Sequence, residues 1–149
     1  MSDEIRFTVD GGLATIELTR PKALNALTLG MIREMHPRID AWDDDESIKA
    51  VVVKGEGEKA FCAGGDVRAV YRSIVDDLGG NGPSELSKTF FLEEYRLNHS
   101  IHAFSKPYVA LLDGVTMGGG VGLSVHGSHR IATERLMFAM PETAIGLFP

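Results

Sequence analysis

The sequence predicts an α/β fold, and three observations carry that expectation. Short apolar runs alternate along the chain with longer stretches of helical periodicity, the order that builds a sheet covered by helices. Glycine and proline punctuate the joins between them. The composition, 44% hydrophobic and 24% charged over 149 residues, is that of one globular unit with enough apolar side chains for a core.

The chain starts with a hairpin. Ile5, Phe7 and Val9 alternate with polar residues, Asp10-Gly11-Gly12 supplies the turn, and Ala14, Ile16 and Leu18 alternate again. Thr28 then offers an N-cap for a helix in which Ile32, Met35, Ile39 and Trp42 recur at helical spacing. Pro37 lacks the N–H that an interior helical position needs, so it is expected to kink or break this helix. The acidic run 43–46 reads as a solvated connector. Residues 48–54 carry three consecutive valines, too short a run for a helix, and predict a strand buried on both faces.

After a Gly-rich loop, residues 66–77 predict a short helix, 79–83 a loop rich in breakers, and 84–104 a longer helix that Pro107 stops. Residues 108–112 read as a strand, 118–127 as a glycine-rich helical turn, and 131–133 and 137–139 as two further strands. The apolar stretch 145–148 has no terminus signal, and the sequence is therefore expected to be a piece of a longer chain.

Charge and composition exclude several functions. With 15 basic and 21 acidic residues the net charge is −6, which supplies no electrostatic footprint for nucleic acid or an anionic membrane. The start, Met1-Ser2-Asp3-Glu4, has neither an apolar targeting core nor an Arg-rich transit pattern, and no apolar run approaches the roughly 20 residues that span a bilayer. A cytoplasmic location is expected, with the mitochondrial matrix as the alternative if a transit peptide has been removed. A single cysteine, Cys62, can form neither an internal disulfide nor a metal cage.

Two segments could carry chemistry: Ala60-Phe-Cys-Ala-Gly-Gly-Asp66 and Asp113-Gly-Val-Thr-Met-Gly-Gly-Gly-Val-Gly122. Each follows an expected strand and precedes an expected helix, so each offers free backbone N–H groups at a helix start, where negative charge is favoured. Such groups suit a developing oxyanion. Gly55-Glu-Gly-Glu-Lys-Ala60 matches a dinucleotide-binding pattern, but Glu56 and Glu58 would repel a pyrophosphate, and a hairpin-like turn fits better.

Among the acids, Glu142 follows Pro141 in a loop, where a carboxylate can point into a cleft. On the 84–104 helix, the stripe of Leu86, Phe90, Leu97, Ile101 and Phe104 leaves Glu93 and Glu94 at its edges, and periodicity does not choose between them. Cys62 has no histidine near it in sequence and reads as a small buried hydrophobe. The pairs His99/His102 and His126/His129 lack the carboxylate or cysteine company of a metal site, so no metal is expected.

Arg20-Pro-Lys-Ala-Leu-Asn-Ala-Leu27, the Ala60 to Asp66 segment and Gly118-Gly-Gly120, in this order and spacing, resemble the crotonase (enoyl-CoA hydratase/isomerase) superfamily. The resemblance runs from the hairpin to Pro149. Met117-Gly-Gly-Gly-Val-Gly-Leu-Ser-Val-His-Gly127 and Pro141-Glu-Thr-Ala-Ile-Gly-Leu-Phe-Pro149 look most like its 3-hydroxyisobutyryl-CoA hydrolase branch. It implies a spiral of ββα units, of which residues 1–149 would be the amino-terminal part of a single catalytic domain. It also implies that the N–H groups of Gly65 and Gly119 hold the thioester carbonyl.

The superfamily's hydratases use two glutamates. By motif spacing the first falls on Gly122, which has no side chain, and the second on Glu142. Hydration is thereby disfavoured, and the branch resemblance makes Glu142 the principal catalytic carboxylate. It also selects Glu94 over Glu93 as a substrate contact and sets Gly65, Asp66, Val67 and Arg68 along the CoA path. The branch carries a further aspartate directly after Leu-Phe-Pro, past the last residue of this sequence.

The implied activity is cleavage of 3-hydroxyisobutyryl-CoA in valine breakdown, without a cofactor because CoA is part of the substrate. A homo-oligomer is the implied assembly. The alternatives are a hydratase or isomerase acting on acyl-CoA, and a catalytically silent CoA-binding subunit.

Overall fold

The computed structural model describes residues 3–78 and 84–146. Residues 1–2, the breaker-rich stretch 79–83 and residues 147–149, which take in the end of the apolar run, lie outside them. Strands β1 (Ile5–Asp10) and β2 (Leu13–Leu18) form the expected hairpin, with Ile5 opposite Leu18 and Asp10 opposite Leu13. Ala14, Ile16 and Leu18 all point into the core, as the period of two requires.

Helix α1 (Leu29–Asp44) begins where Thr28 predicts, the Thr28 hydroxyl accepting a hydrogen bond from the Met31 amide at 3.2 Å. Pro37 does not break it. The helix runs unbroken to Asp44, and Pro37 sits on its exposed side, where the Arg33 carbonyl that it leaves unpaired can be hydrated. The acidic run is only partly a connector: Asp43 and Asp44 finish the helix, and Asp43 accepts hydrogen bonds from the Ser105 amide and hydroxyl.

From here the chain alternates between two sheets. Strand β3 (Ala50–Gly55) joins the hairpin, while β4 (Ala60–Cys62) lies in a second sheet. The turn between them is therefore not the hairpin expected from Gly55-Glu-Gly-Glu-Lys-Ala60, because the strands it connects do not pair. Helices α2 (Val67–Leu78) and α3 (Glu85–Ala103) follow, and then β5 (Tyr108–Leu112) returns to the first sheet and β6 (Val115–Met117) to the second. Helix α4 (Gly119–Val125), β7 (His129–Ala132) and β8 (Met137–Ala139) repeat the pattern.

The result is one sheet ordered β1-β2-β3-β5-β7 and another ordered β4-β6-β8, parallel throughout except for the first hairpin. After the first hairpin and α1, each turn of the chain gives one strand to each sheet and then a helical segment, the spiral of ββα units that the resemblance implies. Strands β4 and β6 lie inside the two glycine-bearing segments, where the sequence predicts no strand. Three residues set among glycines read as part of a turn, whereas β8, equally short, stands clear of glycine and is legible; β4 and β6 exist because each pairs with the next.

The core is one continuous cluster. Met31, Ile32, Met35 and Ile39 of α1 meet Ile16, Val51 and Val53 of the sheet on one side and Leu97 and Ile101 of α3 on the other. All are at most 1% exposed, and each side chain of this size buried so completely contributes about 1.5–3 kcal/mol. Trp42 closes the end of the core, with its ring edge-on to Phe7 at 6.0 Å.

Candidate active site at the ends of three parallel strands

The second sheet assembles the site through its register. In β4-β6 pairing Cys62 is opposite Thr116, and in β6-β8 pairing Met117 is opposite Ala139. Parallel strands end side by side, so the residues that follow them are neighbours: Ala63 to Gly65 after β4, Gly118 and Gly119 after β6, and Pro141 and Glu142 after β8. In open parallel sheets this carboxyl end is where ligands bind.

Two amides converge there. Gly65 bridges Leu27: the Leu27 amide donates to the Gly64 carbonyl at 2.8 Å and the Asp66 amide donates to the Leu27 carbonyl at 2.8 Å. Peptide groups of an extended strand alternate sides, so the Gly65 N–H faces away from Leu27. Gly119 is its close neighbour: the Gly65 nitrogen lies 3.3 Å from the point a Cβ on Gly119 would occupy. The Gly119 nitrogen lies 3.5 Å from the corresponding point on Gly64. Gly119 is the first residue of α4, whose N–H has no intrahelical acceptor. Among the described residues neither amide has a hydrogen-bond partner.

Glycine is required at the turn itself. Gly118 has φ +48°, which side-chain-bearing residues rarely adopt, and its α-carbon faces Glu142, whose Oε1 lies 3.0 Å from where a Cβ would be. The other oxygen of Glu142 is buried and has no hydrogen-bond partner among the described residues. A carboxylate oxygen left in that state needs a substrate, water or proton to complete it. Glu142 opens the 3-10 turn Glu142–Ile145, fixed by the Ala144 amide bonding the Pro141 carbonyl at 2.9 Å.

A second carboxylate arrives from α3. Glu94 is 6% exposed and sits against the α-carbon of Gly119, whereas Glu93 turns outward into a two-bonded pair with Arg33 at 2.8 Å. The buried face of α3 is Phe90, Glu94, Leu97, Asn98 and Ile101, so Glu94 stands within the stripe rather than at its edge. Burial pushes the Glu94 carboxyl up from 4.5 to about 7, and repulsion from Glu142 adds to it.

Because its folded value lies above the unfolded one, Glu94 favours the folded state below about pH 4.5, and that stability is lost as pH rises through about 7. Glu94→Gln removes the penalty. Relative to that variant, wild type should lose about 3 kcal/mol between pH 4.5 and 8 in denaturant titrations. Parallel stability profiles for the two proteins would contradict this.

The cavity enclosed by these groups measures about 910 Å³ and is lined by Gly65, Val67, Phe90, Glu94, Asn98, Gly119, Val121, Gly122 and Glu142, among others. Five of the seven expected site residues therefore meet in one place. Asp66 and Arg68 do not line it. Asp66 turns back to pair with Arg20 at 3.0 Å and to accept from the Ala69 amide at the start of α2, and Arg68 is exposed on that helix. Cys62 is fully buried and its thiol is pushed up to about 12, an inert group as expected. His99, His102 and His126 line the mouth, with the rings of the last two 6.3 Å apart; among the described residues no His, Cys, Asp or Glu cluster could hold a metal.

Sequence reasoning missed what holds the first loop. Asn25, fully buried at φ 55°, donates to the carbonyls of Glu56 at 3.0 Å and Ala60 at 2.8 Å, and its Oδ1 accepts from the Arg20 amide at 3.0 Å. It ties the segment before α1 to both ends of the turn that leads into β4, and so places Gly65. Asn25→Ala takes the donor from the buried Ala60 carbonyl and the part-buried Glu56 carbonyl and leaves the left-handed backbone without the side-chain hydrogen bonds that support it; it should destabilise the fold by about 3 kcal/mol in equilibrium unfolding. The signal was an asparagine inside an otherwise apolar Ala-Leu-Asn-Ala-Leu run.

A family model described as enoyl-CoA hydratase/isomerase matches residues 13–149. The chain belongs to this family. Among curated relatives, 3-hydroxyisobutyryl-CoA hydrolase, mitochondrial, from Danio rerio is 56% identical over 98% of this chain and 37% of its own length. The Homo sapiens protein of the same name is 49% identical over 99% of this chain and 37% of its own. Among solved structures, a carnitinyl-CoA dehydratase from Mycobacterium thermoresistibile superposes with a TM-score of 0.90 at 43% identity, over 99% of this chain and 42% of that one.

The chain thus spans little more than a third of the length of the curated relatives it matches. Like the family's other members it has the crotonase fold. Gly122 stands where the resemblance puts the first hydratase glutamate, and the Asn98 carboxamide fills the space beside it, 2.6 Å from where a Cβ would project.

Proposed function

We propose that this chain forms the thioester-binding and cleaving part of an acyl-CoA hydrolase that converts 3-hydroxyisobutyryl-CoA to 3-hydroxyisobutyrate and CoA. The observation that supports the reading is the pair of unpartnered amides, Gly65 and Gly119, that lie close together beside Glu142. A thioester carbonyl oxygen placed there gains negative charge as the carbonyl carbon becomes tetrahedral, and each donor stabilises that charge by roughly 3 kcal/mol.

Glu142 supplies the electron pair that starts cleavage, either by attacking the carbonyl carbon to give an anhydride or by taking a proton from an attacking water. In the first route the C–S bond breaks as the anhydride forms, and water then hydrolyses the anhydride to release the acid. In the second the C–S bond breaks as the tetrahedral species formed by water collapses. In both, the departing CoA sulfur takes up the proton that the water gives up. Glu94, with its raised carboxyl, contacts the acyl end from the other side of Gly119. No cofactor is needed, since CoA enters as part of the substrate.

Hydrolysis is favoured over hydration because position 122 carries no acid and Asn98 occupies the adjoining space. The hydrolases named above support the same choice, and their names place those proteins in mitochondria. No described helix is long and apolar enough to cross a membrane. The test is release of free thiol by the intact protein from 3-hydroxyisobutyryl-CoA, run beside a coupled assay for hydration of an enoyl-CoA. Thiol release without hydration is expected; hydration without thiol release would overturn the reading.

A further inference from the structure

The mechanism leaves a buried polar group of the cavity wall unused. Asn98 lies one helical turn after Glu94 on α3, lines the same cavity and is 8% exposed, yet its Oδ1 is buried with no hydrogen-bond partner among the described residues. Asparagine is a poor choice for the inside of a helix, and a buried carboxamide without a partner is worse. An apolar side chain of the same size would serve packing better. The opposing wall has been emptied to admit it: a Cβ on Gly122 would stand 2.6 Å from Nδ2 and 3.0 Å from Oδ1.

We infer that the Asn98 carboxamide is the hydrogen-bond partner of a hydroxyl on the acyl chain, and so selects 3-hydroxyacyl thioesters over their deoxy counterparts. The inference rests on the proposed thioester site and names the feature of the substrate that the site reads. Gly119 and Gly122 are three residues apart on α4, about 4.5 Å along its axis. With the carbonyl oxygen at the Gly119 amide, a hydroxyl two carbons further along the acyl chain reaches the level of Gly122, where Asn98 is. A hydroxyl both donates and accepts, so it satisfies either end of the carboxamide. The rest of that wall, Val121 and Phe90, is apolar and suits the branched carbon skeleton.

The test compares two CoA thioesters that differ only in the hydroxyl, 3-hydroxyisobutyryl-CoA and isobutyryl-CoA, by calorimetric binding and by thiol release, on the intact protein. Wild type should prefer the hydroxylated ester by roughly ten- to a hundredfold, as expected for a site built around a substrate hydroxyl. Asn98→Ala should bring that ratio close to one by weakening the hydroxylated ester alone. Asn98→Leu, which keeps the volume, should do the same and serves if the alanine variant fails to fold.

Equal loss on both esters, or a wild type with no preference in binding, would overturn the inference. Thiol release is read separately. If wild type cleaves neither ester but the binding preference disappears in the variants, the hydroxyl contact stands and the hydrolase reading falls.

Discussion

Glu142→Gln is expected to lower thiol release from 3-hydroxyisobutyryl-CoA by roughly 10²- to 10⁴-fold while leaving the affinity for the thioester within a few-fold of wild type. The amide has the shape of the carboxylate, so the contact with Gly118 and the 3-10 turn that begins at this residue are retained. What it lacks is the electron pair for attack on carbon or for deprotonation of water. The buried, unpartnered oxygen is the atom whose chemistry the substitution removes. Single-turnover thiol release alongside calorimetric binding separates the two effects, and near-normal turnover by this variant would take the catalytic role away from Glu142.

Gly119→Pro should lower kcat by roughly 10²- to 10³-fold. Proline has no N–H, so one of the two proposed oxyanion donors disappears, and its ring carbons enter the space between Leu27, Glu94 and the Gly65 nitrogen, so the Glu94 carboxylate and the turn must also shift. The helix itself survives, because Gly119 is the first residue of α4, a position where proline is well accommodated. A circular dichroism spectrum close to wild type, a lowered melting temperature and lost turnover are the expected results. A variant that remained active would show that the oxyanion is held elsewhere.

Much of this architecture was open to pattern reading, for identifiable reasons. The hairpin has strict alternation around a Gly-Gly turn, α1 has a threonine cap followed by apolar residues at helical spacing, and α3 has a serine cap and a stripe that ends before Pro107. These are local signals, decided within a few residues of where they act. Pro37 misleads because its effect depends on which side of the helix faces water. Strands β4 and β6 are hidden because their three residues sit among glycines that read as turn, and only pairing across some fifty residues of chain makes them strands.

The site divides along the same line. Glycine turns suited to a developing oxyanion and a glutamate after Pro141 placed to enter a cleft were legible, because backbone freedom and charge belong to the residue itself; the thioester came with the family resemblance. Periodicity did not choose between Glu93 and Glu94, and only the resemblance did; physically, packing of α3 against α1 and α4 sends one to Arg33 and buries the other. Asp66 is another case of tertiary control, its pairing with Arg20 drawing it away from the cavity that its neighbours line.

The sequence by itself determined the α/β class, the helices and their caps, and the kinds of group available for chemistry, because each depends on intrinsic preferences and short-range spacing. Only the tertiary structure decided that Gly65, Gly119, Glu142, Glu94 and Asn98 face one cavity. That convergence depends on the parallel register of β4, β6 and β8 and on which face of α3 is buried, and both are outcomes of long-range pairing and packing that no local stretch of residues encodes.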